Sequence, residues 1–572
     1  MINEARIRDL LVQVYGNDAG HTAFEKLIPL LKEYEARLLT IRTGGLNQRD
    51  TILITYPDQI QQAEKHPLAV LAEFCQSYLQ DAVTGIHILP FYPWTSDDGF
   101  SVMDYREVDT SHGDWNDVKK MGERFRLMFD AVINHVSVSS LWFQSMSRGD
   151  TLYQNYFVIP QESDDLSHVV RPRALPLLTT FQTALGEKRV WTTFSADQVD
   201  LNYANPDVLL EILDVLLFYV SQGAEFIRLD AIAYLWKESG TSCINLPQTH
   251  RIIELFRAVL DEVAPYVMLI TETNVPHADN ISYFGDGTNE AQMVYNFSLP
   301  PLVLHAFQKG SAEMLSQWAE NVELPSDKVT FFNFLASHDG IGLNPLRGIL
   351  PESDIENVVR RVQEHGGLVS HKSDVGGISR PYELNINYFD ALNNPKFEEA
   401  LDIQIDRFIT AHAILLAMKG VPGVYFHSMF GSRGWPEGAR ASGQNRTINR
   451  RKFQRDELVK LISNPRSRPA RVFFRLRHLL KIRRRHPAFH PYGSQQVMHF
   501  APEVFCLLRS SPDKRDNVLC LHNISDHPVL LNDVQIPDDL FPNLRNLING
   551  ESIEDKKAIS LKPYQTLWLA PA

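Results

Sequence analysis

Short apolar runs recur along roughly the first 480 residues, and most of them end abruptly in polar or charged positions. TILITY, GIHILPF, RLMFDAVIN, EFIRLDA, VMLITE, FFNFLAS and GVPGVYF have the length and composition of buried strands. Between them lie stretches with helical spacing, such as Pro206 to Gln222 and Thr249 to Ala264. The proline at 206 suits a first helical turn, where its missing N–H costs nothing. This alternation predicts an α/β chain wound as a parallel βα barrel. Two long excursions interrupt it, at about 137–203 after the third strand and at about 341–395. The first reads as irregular, the second as a helical piece followed by the glycine-rich HKSDVGGISRPY. Excursions of that length at the carboxyl face of a barrel usually build its site. After about Arg485 the texture changes to EVFCLLRS, NVLCLHNIS and QTLWLAP, which predicts an antiparallel β domain over 488–572 covering one flank of a barrel over 1–487.

Alternate residues of a strand share a face. Phe226, Arg228 and Asp230 therefore form one row, Met268, Ile270 and Glu272 a second, Asp130, Val132 and Asn134 a third, and Ile52, Ile54, Tyr56 and Asp58 a fourth. In each the polar group comes late, where a barrel strand delivers reactive groups from its carboxyl tip. Any one such acid is adequately explained as a salt bridge at a strand end. The repetition argues for a site. Asp230, Glu272 and Asp339 are the strongest candidates, since two carboxylates can supply the nucleophile and the proton donor that cleave a glycosidic bond.

Composition narrows the classes. The chain has 572 residues, 44% hydrophobic and 22% charged, with a formal net charge of −13. That balance argues against nucleic acid or an anionic membrane as partner, although local arginines can still hold an anionic substrate. The amino-terminal stretch lacks a secretory apolar segment, and no apolar run is long enough to span a bilayer, so a cytoplasmic location is expected. Cys75, Cys243, Cys506 and Cys520 are scattered, which favours free buried thiols over disulfides or zinc. No P-loop, complete GxGxxG or HExxH occurs, so neither a nucleotide nor a zinc site is expected.

DAVINH, RLDA, ITET and SHDG occur in the order of the four signature regions of the α-amylase family, which the chain resembles. HILPFYPW, DDGFSVMDY, RPRALPLL, WTTFSADQVDLN, KESGTSC, FSLPPLVLHA and YELNINYFDAL resemble its sucrose-phosphorylase subfamily more narrowly. The resemblance implies a (β/α)8 TIM barrel with inserted B and B' domains, a carboxyl-terminal β domain, and no metal or organic cofactor. It implies glucosyl transfer from a small-molecule α-glucoside to inorganic phosphate, with Asp230 as nucleophile, Glu272 as acid and base, and Asp339 as a hydroxyl-binding stabiliser. Arg228 would orient the nucleophile, with Asp130 as a second partner. Asp58, Tyr105, Phe194, Gln198, Tyr234, His338 and Arg446 would hold the transferred sugar. His135 is expected to be structural. Arg173, Tyr382 and Glu383 would face phosphate or acceptor, with Glu383 standing where the subfamily has glutamine. That exchange speaks against sucrose and, with the overall pattern, ranks glycerate first as aglycone, leaving fructose, fructose 6-phosphate and glycerol open. A glycerate carboxylate needs a cation, for which Arg173, Arg347, Lys372 and Arg380 are candidates. Hydrolysis or transglucosylation by the same carboxylates is the rival reaction. Oligomeric state stays open, a homodimer included.

Overall fold

The computed structural model describes residues 3–572 except 39–43, 174, 374–378, 533–535, 537–539 and 542. Eight parallel strands close into a barrel, in chain order Ile52–Thr55, Gly85–Ile88, Arg126–Ala131, Ala224–Leu229, Met268–Thr271, Met293–Tyr295, Thr330–Asn333 and Val421–Tyr425. Each pairs with its sequence neighbours, and the eighth closes on the first through Ile52 beside Gly423. Helices cover the outside, so the strands are buried on both faces and read as nearly continuous apolar runs. Seven of the eight coincide with runs legible in the sequence. The sixth, Met293–Tyr295, is three residues long and gives no periodic signal. Helices Pro206–Ser221 and Pro247–Val263 fall where the spacing puts them, each with proline in its first turn.

The first excursion is more ordered than expected. It contains the helix Leu141–Ser147, capped by Ser140, and a hairpin of Leu178–Thr183 with Gly186–Trp191. Its last strand, Gln198–Asp200, returns to pair with His135–Ser137 beside the barrel mouth. A buried ammonium fastens this return: Lys237 Nζ lies 2.6 Å from Asp200 Oδ2 and 2.8 Å from Asn134 Oδ1. In the second excursion the helix Glu352–Glu364 follows the first strand and precedes the other two of a three-stranded sheet ordered Ile341–Gly342, Ser379–Asn385, Leu368–Ser373. DVGGI, residues 374–378 of the glycine-rich stretch, lies outside the described residues.

The carboxyl-terminal unit is antiparallel, as its texture predicts. Its main sheet runs Ser494–Met498, Val504–Ser510, Asn517–Asn523, Thr566–Pro571, Leu544–Asn546, Ser552–Ile553. Both faces are buried. Phe505, Leu507, Val518, Cys520 and Trp568 join the barrel's core, while Val504, Cys506, Leu508, Leu519, Leu521 and Leu569 form a second core on the other side. Strand parity makes this division: odd and even positions of VFCLL serve different cores. Two buried arginines seal the seam with backbone carbonyls. Arg483 donates to Gln48, Asp50, Leu416, Gly420 and Phe489, and Arg509 to Ala417, His490 and Ser494. All four cysteines are free and buried. Among the described residues no helix is long and apolar enough to cross a membrane.

Candidate active site

The fourth and fifth strands pair with Leu229 beside Thr271, so the next residues, Asp230 and Glu272, leave the barrel side by side. Glu272 N donates to Leu229 O at 3.1 Å, extending the ladder by one bond. Adjacent strands lie about 4.8 Å apart, which makes the two carboxyl groups neighbours. Beneath them Arg228, 1% exposed, spans both. Its Nη1 donates to Asp230 Oδ1 at 2.7 Å and to Asp130 Oδ1, and its Nη2 lies 3.7 Å from Glu272 Oε2. Asp130 is the register partner of Arg228 across the third and fourth strands, and its second oxygen accepts from His87 Nε2 at 2.7 Å. Ala231, just past the nucleophile candidate, sits in the left-handed region at φ 47°. That turn aims its N–H at Glu272 Oε2, 2.9 Å away. Non-glycine residues adopt this geometry at a cost and concentrate at functional turns.

The third carboxylate, Asp339, follows the seventh strand in SHDG. Arg446 Nη1 lies 2.6 Å from its Oδ1 and turns its other edge to Glu383, with Nε 3.0 Å from Oε1 and Nη2 3.0 Å from Oε2. Glu383 also accepts from Gly340 N. Side-chain atoms at residue 340 are excluded by this approach, since a Cβ there would stand 2.6 Å from Leu384 O.

These contacts separate the three acids. Burial, with the charges of Asp230 and Asp339, pushes Glu272 up to about 7 against the pull of Arg228. Burial also raises Asp230, and Asp130 adds to it, while the direct Arg228 ion pair opposes both. For Asp339 burial is outweighed by Arg446, His338 and Arg450, which hold it well below the usual carboxylate range. Burial keeps His338 neutral at physiological pH. A carboxyl that carries a proton near neutrality beside one paired to a guanidinium can act as acid and nucleophile respectively.

One cavity brings together Asp230, Glu272, Asp339, Phe194, Gln198, Tyr234, His338, Arg446, Arg173 and Tyr382 of the expected set. Phe194 meets Tyr234 edge to face at 5.5 Å, and Gln198 Nε2 donates to Phe100 O at 2.9 Å. Arg228 is its hidden floor rather than its wall. Three further expected site residues lie off the cavity wall. Asp58 does not line the cavity: it is engaged by Lys452 Nζ at 2.6 Å. The acid on the wall is Asp97, from the DDGF motif, which lies 3.7 Å from Arg173 Nη2. Tyr105 does not line the cavity either: the ring packs in the core against Trp142, with its hydroxyl donating to Val132 O at 2.8 Å. Phe100 is the aromatic on that wall, stacked on His338 at 4.8 Å. Glu383, 2% exposed, sits behind Arg446 and does not line the cavity.

His135, expected to be structural, both donates from Nε2 to Phe100 O at 2.9 Å and lines the cavity. Asn274, two residues after Glu272, is a further wall residue, and its place just past a strand end gives it no periodic signal in the sequence. Of the four candidate cations for a glycerate carboxylate, Arg173 alone lines the cavity among the described residues; Arg347 lies 3.7 Å from Glu352 instead. No cluster of His, Cys, Asp and Glu suited to a metal ion occurs among the described residues.

Residues 76–341 match the catalytic domain of the α-amylase family. The chain is 46% identical to glucosylglycerate phosphorylase of Spirochaeta thermophila, over 99% of its own length and 98% of that protein. With glucosylglycerate phosphorylase of Escherichia coli it shares 44% identity, covering 99% of both. The crystal structure of sucrose 6F-phosphate phosphorylase from Thermoanaerobacter thermosaccharolyticum superimposes with a TM-score of 0.73 at 25% identity, covering 91% of this chain and 98% of that one. Full-length identity at this level, joined to a barrel that ends in three carboxylates, assigns the chain to the α-amylase family and, within it, to the glycoside phosphorylases of the glucosylglycerate phosphorylase group.

Proposed function

We propose that the enzyme converts 2-O-α-D-glucosyl-D-glycerate and phosphate to α-D-glucose 1-phosphate and D-glycerate by double displacement. Asp230 attacks the anomeric carbon as Glu272 passes its proton to the departing glycerate oxygen, leaving a β-glucosyl ester. An oxygen of phosphate then attacks the same carbon, Glu272 takes that oxygen's proton, and Asp230 leaves as carboxylate. Two inversions give net retention. Asp339 and Arg446 bind sugar hydroxyls, and Asp97, His338, Phe194, Tyr234, Gln198 and Phe100 shape the rest of the sugar subsite. Arg173 and Tyr382 at the rim receive phosphate and, by turns, the glycerate carboxylate.

The observation that carries this reading is the placement of a buried Glu272, its pKa raised to about 7, beside an Asp230 paired with Arg228, with Arg173 on the same wall. A planar guanidinium suits an anionic acceptor better than water does. The preference for glycerate rests on the full-length identity to glucosylglycerate phosphorylases. The test offers glucose 1-phosphate with glycerate, fructose, fructose 6-phosphate or glycerol and follows phosphate release. Turnover confined to glycerate is expected; preference for another acceptor reassigns the substrate. Asp230→Ala and Glu272→Gln should each abolish phosphorolysis in folded protein, and substantial turnover in either would remove the assigned roles.

A further inference from the structure

The turn from Thr95 to Ser101 brings Asp97 and Phe100 to the cavity wall, and it is strained. Asp97 and Asp98 are consecutive non-glycine residues in the left-handed region, at φ 55° and 49°. The next position must be glycine: Gly99 has φ +107°, and a Cβ on it would stand 2.7 Å from Pro90 O. Such a backbone persists only where its surroundings impose it. Here one carboxylate from the inserted segment supplies the grip. Asp197 Oδ2 accepts from Thr95 Oγ1 at 2.6 Å, from Ser101 Oγ at 2.7 Å and from Ser96 Oγ, while Oδ1 accepts from Ser137 Oγ at 3.2 Å.

Three of these four hydroxyls belong to the strained turn. Among the described residues Asp197 makes no ion pair, so its charge is satisfied by hydroxyls alone. Burial would raise its pKa, but the four hydrogen bonds outweigh that and hold it below the usual carboxylate range. From the opposite side Arg450 Nη1 holds Asp98 Oδ2 at 2.6 Å. Gripped on both sides, the turn presents Asp97 to Arg173 and lays Phe100 on His338.

We propose that Asp197 is a positioning residue for the second half-reaction. By fixing the turn it fixes Asp97 and, through it, Arg173, and so sets how the glucosyl-enzyme divides between phosphate and water. The inference rests on the reading of Arg173 as the phosphate-binding guanidinium. Water is present at about 55 M, so phosphate competes only while its site is pre-formed and the cavity stays closed to solvent. A released turn lets Asp97 swing away, leaves the Arg173 guanidinium unanchored and opens the wall at Phe100.

The test measures glucose against glucose 1-phosphate formed at one fixed phosphate concentration by wild type, Asp197→Ala and Asp197→Asn. This ratio is a property of each active molecule and does not change with the fraction of enzyme that is folded. Asp197→Ala removes all three bonds to the turn and is expected to raise the glucose share by at least about tenfold, the effect of losing even one hydrogen bond to a charged group. Asp197→Asn should rise less, because its amide oxygen still accepts. Should Asp197→Ala not fold, Thr95→Val and Ser96→Ala each remove one donor and should shift the ratio in the same direction. Wild type that makes glucose 1-phosphate, with an unchanged ratio in every folded variant, overturns the inference alone. Wild type that releases only glucose overturns the phosphorylase reading and the inference with it.

Discussion

At the scale of single residues, the site is a problem in keeping three acids in different states within one cavity. Arg228 and Arg446 divide the work: one serves Asp230 and the edge of Glu272, the other serves Asp339. The raised pKa of Glu272 has a signed consequence. The acid is protonated below about 7 and loses its proton above, so turnover of a glucoside whose leaving group needs that proton should fall on the alkaline side with a midpoint near 7. With α-glucosyl fluoride, whose leaving group departs unprotonated, the alkaline loss should vanish from the first step; its persistence would count against Glu272 as acid. Arg446→Met tests the second cation. Asp339 and Glu383 would then lose the counter-charge they share, leaving Asp339 with Arg450 at 3.9 Å, and kcat/KM on the acidic side should fall relative to wild type. An unchanged acidic side would show that Asp339 does not depend on Arg446.

Residue-scale chemistry is legible where a strand delivers it. Asp230, Glu272 and Arg228 follow from parity along EFIRLDA and VMLITE, because a strand fixes which side chains share a face. Asp58 and Tyr105 lie away from the cavity for the converse reason. Both come after a strand end, where a turn decides direction, and the left-handed pair at Asp97 and Asp98 that aims the wall's acid leaves no periodic trace. Glu383 stands out in the sequence as the departure from subfamily glutamine. Its place behind Arg446, however, depends on the small sheet of the second excursion, which sets Glu383 opposite Gly342 only after a long stretch of chain has intervened.

At the scale of elements, the inserted segment is fastened rather than draped. Its return strand is tied by Lys237, whose ammonium is nearly buried between Asp200 and Asn134. Lys237→Met would leave the Asp200 carboxylate buried without its cation, a loss of about 3–5 kcal/mol. A lowered urea midpoint should report it, with an unchanged midpoint showing that Asp200 is satisfied without the lysine. Helix positions can be read from proline-led starts and spacing, whereas the sixth strand cannot, being too short for any period to emerge. The order inside the first excursion is hidden too, since a hairpin without long apolar alternation resembles loop.

At the scale of the whole molecule, barrel and β domain are one packing unit. The strand Thr566–Pro571 alternates between two cores, and Trp568, fully buried, meets Phe489 at 4.8 Å across the seam. Trp568→Ala should cost about 3–5 kcal/mol through the cavity it leaves. Because the seam also carries Arg483 and Arg509, that loss should appear as a single cooperative unfolding step shifted to lower denaturant; two separated steps would show that the units fold independently. The change in texture after Arg485 announces a new architecture but not its double-sided burial, which requires knowing that a barrel lies against one face.

The order of strands in that sheet has a temporal meaning. Thr566–Pro571 lies between Asn517–Asn523 and Leu544–Asn546, both synthesised before it, so the sheet has a gap at its centre until the later strand arrives. A nascent chain can therefore close the catalytic barrel's outer wall only once that strand has been made, and it carries an unpaired central slot until then.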